Sequence, residues 1–148
     1  MNLELSYFKE LNIWNELNIL YLMCITSNEQ LFDCINNLKL LNSKTNFTYN
    51  LMKQNTIPLW EKNKNHSIYS IKIIIDEEIN DKIAFIIYLL YNDKIYIKNK
   101  NCISGLTFKS NENNVIIKFW FLSKQKIFKD EIHPFLQQFN FIYNPPKN

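Results

Sequence analysis

Apolar positions along the 148 residues change period several times, and each change marks an element. Leu3-Glu4-Leu5-Ser6-Tyr7-Phe8 alternates loosely and predicts a first strand. A short apolar run, Ile19 to Ile25, predicts a second. Thr26-Ser27-Asn28-Glu29-Gln30 then supplies N-cap candidates with Glu and Gln close behind. Leu31, Phe32, Ile35, Leu38 and Leu41 follow at helical spacing, giving an amphipathic helix over 28–41. Phe47 to Met52 is a strand with Tyr49 and Leu51 on one face. Ile68 to Ile75, rich in β-branched residues, is another. The acidic stretch Asp76-Glu77-Glu78 precedes a strongly apolar segment. Acids suit a helix N-terminus, so 81–92 is expected as a helix, with strand as the alternative its β-branched content leaves open.

Lys94 to Lys100 is an irregular connection. Cys102–Lys109 and Val115–Leu122 flank the polar tip Ser110-Asn111-Glu112-Asn113-Asn114, the pattern of a hairpin. Asp130-Glu131 open a third expected helix, with Ile132, Phe135, Leu136 and Phe139 on one stripe. Phe141-Ile142-Tyr143 predicts a last short strand. Strands with three interspersed helices and hairpin-like neighbours indicate one α+β domain over residues 1–148: an antiparallel sheet with helices packed on one face.

Composition narrows the classes. Hydrophobic residues make up 47% and aromatics 15%, which disfavours disorder. The chain has a single glycine, Gly105, which disfavours a glycine-rich phosphate loop. Net charge is +3, compatible with a small anionic ligand but short of a strong nucleic-acid signal. Cys24, Cys34 and Cys102 lack metal spacing and read as free thiols of a reducing compartment. His66 and His133 lie far apart, and no zinc motif is present. No apolar run reaches membrane-spanning length, and Glu4 breaks the N-terminal apolar pattern, so no signal peptide is expected.

One stretch carries candidate chemistry: Thr56-Ile57-Pro58-Leu59-Trp60-Glu61-Lys62. Pro58 fixes its own φ and pushes Ile57 toward an extended conformation, so Trp60 is expected in a loop. An indole beside a carboxylate can stack on a flat, positively charged ring and accept hydrogen bonds from its edge. The same residues also allow a loop Trp folded onto the core with Glu61 solvated.

Several segments together resemble eukaryotic translation initiation factor 4E, which binds the 5′ cap of messenger RNA. Trp14 precedes a strand. The helix opening Thr26-Ser27-Asn28-Glu29-Gln30-Leu31-Phe32 stands where that family has a Ser/Thr-Val-Glu-Asp-Phe-Trp run. Tyr49-Asn50-Leu51-Met52-Lys53-Gln54-Asn55-Thr56-Ile57-Pro58-Leu59-Trp60-Glu61 is similar to its aromatic-x-Leu-Phe-Lys-x-x-Ile-x-Pro-x-Trp-Glu. Cys102-Ile103-Ser104-Gly105 resembles its Cys-Gly element, and Ile116-Ile117-Lys118-Phe119-Trp120 its strand ending in Trp. The Pro-x-Trp-Glu block is the most specific part.

The resemblance implies a curved antiparallel sheet with three helices on its convex face and a cap-binding slot on the concave side. It implies 7-methylguanosine as ligand, the cationic base held between Trp14 and Trp60. Glu61 would accept from the base edge, and Trp120 would contact the N7-methyl group. Each stacked face is worth on the order of 1–3 kcal/mol. It also shows departures. Ungapped spacing puts Asn111, Asn113 and Ile116 where the family's phosphate-binding cations stand. Lys109 and Lys118 are nearby substitutes, and Lys62, Lys64, Lys124 and Lys126 further ones. Asn can hydrogen-bond phosphate but not neutralise it. On the dorsal helices, Phe32 takes a Trp position and Ala84, Phe85 and Tyr88 surround the others that would receive a helix of a 4G-type scaffold or a 4E-binding repressor. A monomer without cofactor, metal or catalysis is implied, cytoplasmic and compatible with a nuclear presence. The alternative is a paralogue with weakened cap affinity acting as a repressor or scaffold. An enzymatic reading, with Glu61 and Asp76 or Glu77, has no phosphate loop, metal motif or nucleophile–base pair behind it.

Overall fold

The computed structural model describes residues 2–9, 13–38, 48–59, 62–123 and 126–144. Strands β1 (Leu3–Phe8) and β2 (Ile19–Ile25) have the bounds that the alternation predicts. Helix α1 spans Asn28–Asn37 and is followed by β3 (Thr48–Lys53) and β4 (Ser67–Ile74). Helix α2 spans Ile79–Tyr91, followed by β5 (Ile103–Ser110), β6 (Asn114–Phe121) and β7 (Ile142–Asn144). All seven strands join one antiparallel sheet in the order β2-β1-β3-β5-β6-β4-β7.

Helix α1 starts where its cap is. The Ser27 hydroxyl accepts from Gln30 N–H at 3.3 Å, and Gln30 Oε1 accepts from Thr26 N–H at 2.7 Å. Leu31, Cys34 and Leu38 are buried, whereas Phe32 lies off this stripe and is 63% exposed. The helix, expected to run to 41, ends at Asn37 with Leu38 as its C-cap, and residues 39–41 lie outside the described residues.

Helix α2 resolves the strand-or-helix ambiguity. Ile79, Ile83, Ile86, Ile87 and Leu90 are buried at helical spacing, and Asp81, Phe85 and Tyr88 form the exposed stripe. An alternating strand would have put half of those isoleucines in water. Both helices pack on one face of the sheet, against Leu3, Leu5, Leu51, Ile71, Ile73, Leu106, Phe108, Ile117, Phe119 and Phe121.

The third expected helix does not form. The segment is two short 3-10 turns, Lys129–Glu131 and Pro134–Gln138. Two causes are visible. Pro134 lacks an N–H and biases His133 away from helical angles. An isolated bridge between Tyr96 and Ile132 also draws the backbone out straight, with Ile97 N–H donating to Glu131 O and His133 N–H to Ile95 O, both at 2.9 Å. Among the described residues the sheet is therefore covered by two α-helices, not three. Phe135 and Phe139 still pack against the core, and Leu136 is fully buried, so the apolar stripe was real and only its backbone differs.

Gly105 lies on β5 directly opposite Met52 of its neighbour β3. Its φ is +155°, and a Cβ there would lie 2.5 Å from Met52 Sδ and 2.6 Å from Leu51 O. The register shifts between Ile103 and Gly105, making Ser104 the extra residue of a bulge.

Candidate functional site

The sheet face away from the helices carries the candidate residues. Cross-strand register places Ser6, Asn50, Thr107, Lys118 and Ser70 in one straight rung across β1, β3, β5, β6 and β4. Partners in register point to the same side. The next rung holds Thr48, Lys109, Ile116 and Lys72, and the one on the other flank holds Glu4, Met52, Gly105, Trp120 and Ile68. One face of the sheet is hydrocarbon; the opposite face has a polar band through its middle.

That band is internally bonded. Trp120 Nε1–H donates to Thr107 Oγ1 at 3.0 Å, and the Thr107 hydroxyl donates to Asn50 Oδ1 at 3.0 Å. The chain fixes the Asn50 amide and leaves its Nδ2 buried without a hydrogen-bond partner. Trp120 itself is packed with Met52 and Ile68. It is 5% exposed, so it forms the floor of the face and presents only a sliver of its ring. That narrows the methyl contact expected of it.

Trp14 is presented at this face. It is 45% exposed and lies edge-to-face against Phe8, centroids 4.9 Å apart. Its loop is held by Asn18, a residue nothing in the sequence singled out. Asn18 Nδ2 donates to Ile13 O at 2.8 Å, and Asn18 N–H donates to Asn15 Oδ1 at 3.0 Å. The ammonium groups of Lys109 and Lys118 lie 5.9 and 5.8 Å from the Trp14 ring centre, within cation–π reach. Burial lowers the pKa of Lys118, and the neighbouring Lys109 charge adds to the effect.

Trp60 and Glu61 lie outside the described residues. Their flanks do not. Leu59 and Ile57 pack with Phe8 and Ile19, so the approach to Trp60 shares a small apolar cluster with the ring that supports Trp14. Asn63 ties the segment down by donating from Nδ2 to Ile57 O and Leu59 O, at 2.5 and 2.7 Å.

The hairpin tip differs from a phosphate clamp. Asn111 Oδ1 accepts from the backbone N–H groups of Asn113 and Asn114, at 3.0 and 2.8 Å. The Asn111 side chain thus shapes the turn, and Asn113 is exposed beside it. On the helical side, Phe85 and Tyr88 stack at 6.2 Å and are 37% and 42% exposed, while Ala84 lines a 70 Å³ cleft between the helices with Ile35, Leu38, Asn80, Asp81, Ile83 and Ile87. Among the described residues, no cluster of His, Cys, Asp and Glu could hold a metal, and no helix is long and apolar enough to cross a membrane.

No protein-family model matches the sequence, and no curated protein matches it. Solved structures do match. Ascaris suum eIF4E-3, in complex with an m2,2,7G cap, superposes with a TM-score of 0.68 at 14% identity, over 84% of this chain and 73% of that one. C. elegans eIF4E-3, solved with the 4E-binding protein Mextli and a cap analog, gives 0.67 at 13% identity over 82% and 72%. A schistosome eIF4E, complexed with m7GpppA and 4E-BP, gives 0.67 at 14% over 84% and 71%. The chain has the eIF4E fold. In eIF4E terms, the face bearing Trp14 is the one the sequence resemblance assigns to the cap, and Phe32, Ala84, Phe85 and Tyr88 lie on the dorsal helices. The eIF4E likeness extends to the backbone, and the residue departures at Asn111, Asn113 and Ile116 remain within it.

Proposed function

We propose that this protein binds the 7-methylguanosine cap of messenger RNA and brings it to translation initiation. The carrying observation is Trp14: a half-exposed indole held at the sheet face opposite the helices, on the eIF4E fold, with Phe8 linking it to the segment that leads to Trp60. In this reading the methylated base stacks between Trp14 and Trp60, Glu61 accepts from its edge, and Trp120 closes the floor beside its methyl group. Methylation gives the base a delocalised positive charge, which is what two indoles and a carboxylate favour over neutral guanine. Phe32, Ala84, Phe85 and Tyr88 receive an amphipathic helix from a scaffold or repressor partner.

A second reading has one observation in its favour. The hairpin tip spends Asn111 on its own turn and presents no cation, which suits a paralogue of weak cap affinity that acts through its dorsal surface.

Tryptophan fluorescence titration with 7-methyl-GTP against GTP tests the reading. Quenching that favours the methylated nucleotide is expected. Trp14→Ala and Trp60→Ala each weaken it about 10- to 100-fold. Equal or absent quenching by the two nucleotides overturns it.

A further inference from the structure

We propose that the cleft over the β6–β4–β7 corner of the sheet, on the side of the helices, binds a planar aromatic molecule bearing an acidic group. The proposal does not depend on the cap-binding reading, because Trp14 is presented at the opposite face.

The cleft has a volume of about 530 Å³, the size of a small-molecule site. It lies where the third expected helix does not form. Ile132 is held to Tyr96 by the isolated bridge, and the chain before it runs as an irregular arm beside β4 and β7. Both walls are fixed. On one side, Ile127 N–H donates to the Tyr69 hydroxyl at 2.6 Å and Phe128 N–H to Glu131 Oε2 at 3.0 Å. On the other, Tyr143 pairs with Tyr69 across β7 and β4, and the Asn144 amide donates to Ser70 Oγ at 3.3 Å. The cleft is therefore preformed, and a ligand need not order the chain to enter.

Its surface is aromatic. Tyr69 and Phe121 are buried beneath it, ring centres 5.6 Å apart. Phe141 and Tyr143 stand 6.3 and 5.0 Å from the Tyr69 ring and are partly exposed. Phe128, also lining the cleft, is 62% exposed. Aromatic walls alone would suit a cation or a neutral ring. The charged groups decide between them. Lys126 and Lys129 line the cleft, and no carboxylate does. Lys126, a further phosphate substitute by sequence, lies here instead, with rings of the helix side. Glu131, on the same arm, is engaged by Lys98 at 2.9 Å and by Phe128 N–H. The ion pairs among the described residues leave Lys126 and Lys129 out. A flat ring covers the apolar walls, and its acidic group supplies the missing negative charge. A peptide strand fits less well. β7, the sheet edge beside the cleft, has three residues, and Pro145 and Pro146 after it have no N–H groups to pair.

The test uses anilinonaphthalene sulfonate, followed by its own fluorescence and by the isoleucine methyl NMR signals of the protein. Saturable binding is expected, with shifts at Ile127 and Ile132 and none at Ile116 on the opposite face. Neutral N-phenylnaphthylamine binds about tenfold more weakly, and the cation phenyltrimethylammonium does not bind. Lys126→Gln/Lys129→Gln, at two exposed positions, lowers affinity for the sulfonate about tenfold and leaves the neutral analogue unchanged. Phe128→Ala weakens both about threefold. Indoleacetate and adenosine monophosphate compete for the site, and the one that displaces the probe at lower concentration tells an aromatic acid from a nucleotide. Absence of saturation overturns the proposal, as do shifts at Ile116 in place of Ile127 and Ile132. Equal affinity for the neutral analogue, tighter binding of the cation, or full affinity in the Gln variant overturns it too.

Discussion

Single residues decide two properties of this molecule. Gly105 is the chain's one glycine and pairs with Met52 across β5 and β3. A methyl group there meets the Met52 sulfur, which can move, but also Met52 Cα and Leu51 O, which cannot without shifting β3. Its φ of +155° is unfavourable for any other residue. Gly105→Ala should lower stability by about 2–4 kcal/mol, read as a lower urea midpoint at unchanged slope. His66 governs a second property. Its ring is buried, with Nε2 2.6 Å from Ser104 Oγ, and burial lowers its pKa below 6.5. The unfolded chain therefore takes up the proton first as pH falls. The stability contributed by neutral His66 is present above pH 6.5 and is lost as pH drops through the lower native value. Urea melts between pH 7.5 and 5 should show that loss, and His66→Gln should reduce the slope.

At the scale of elements, local rules were enough wherever local forces act alone. The bounds of β1 and β2 followed from apolar patterning, and α1 from Ser27 and Gln30. The expected helix at 130–139 failed because its competitor is distant in sequence: the bridge from Ile132 to Tyr96 cannot be read from the residues around Pro134. The site divides the same way. Trp14, Lys109 and Lys118 were candidates only through the resemblance to eIF4E, and the structure brings the two ammonium groups to 5.9 and 5.8 Å from the Trp14 ring centre. Asn50, Thr107 and Asn18 were not. In a chain rich in Asn nothing marks Asn50 until register puts it opposite Thr107. A physical difference between the helical segments follows. Pro134–Gln138 is held by 3-10 turns at the surface, whereas α2 is enclosed by core on most of its circumference. Amide hydrogen exchange should be fast at 135–138 and slow through 83–90, with Ile97 and His133 protected by their cross-links to Glu131 and Ile95. Uniform protection across 129–138 would contradict this account.

The whole molecule is a seven-stranded wall with unlike sides. Two of its six strand pairings, β1–β2 and β5–β6, join consecutive strands. The others are made by segments distant in sequence, so correct alignment has to be selected late in folding. The polar rung bears on that selection. Side chains alternate with period two, so a slip of one residue turns a strand over. If β6 slipped against β5, Lys118 would enter the hydrocarbon beneath α2, and Phe119 would face water. The same slip in β3 would break the bond from Thr107 to Asn50, turn the Asn50 amide toward the isoleucines of the core and expel Leu51. Mispaired sheets are thus heavily disfavoured by the groups of the polar rung. Polar groups on one side of a sheet thus also proofread its assembly, and replacing Lys118 and Asn50 with neutral apolar residues would loosen the alignment of strands.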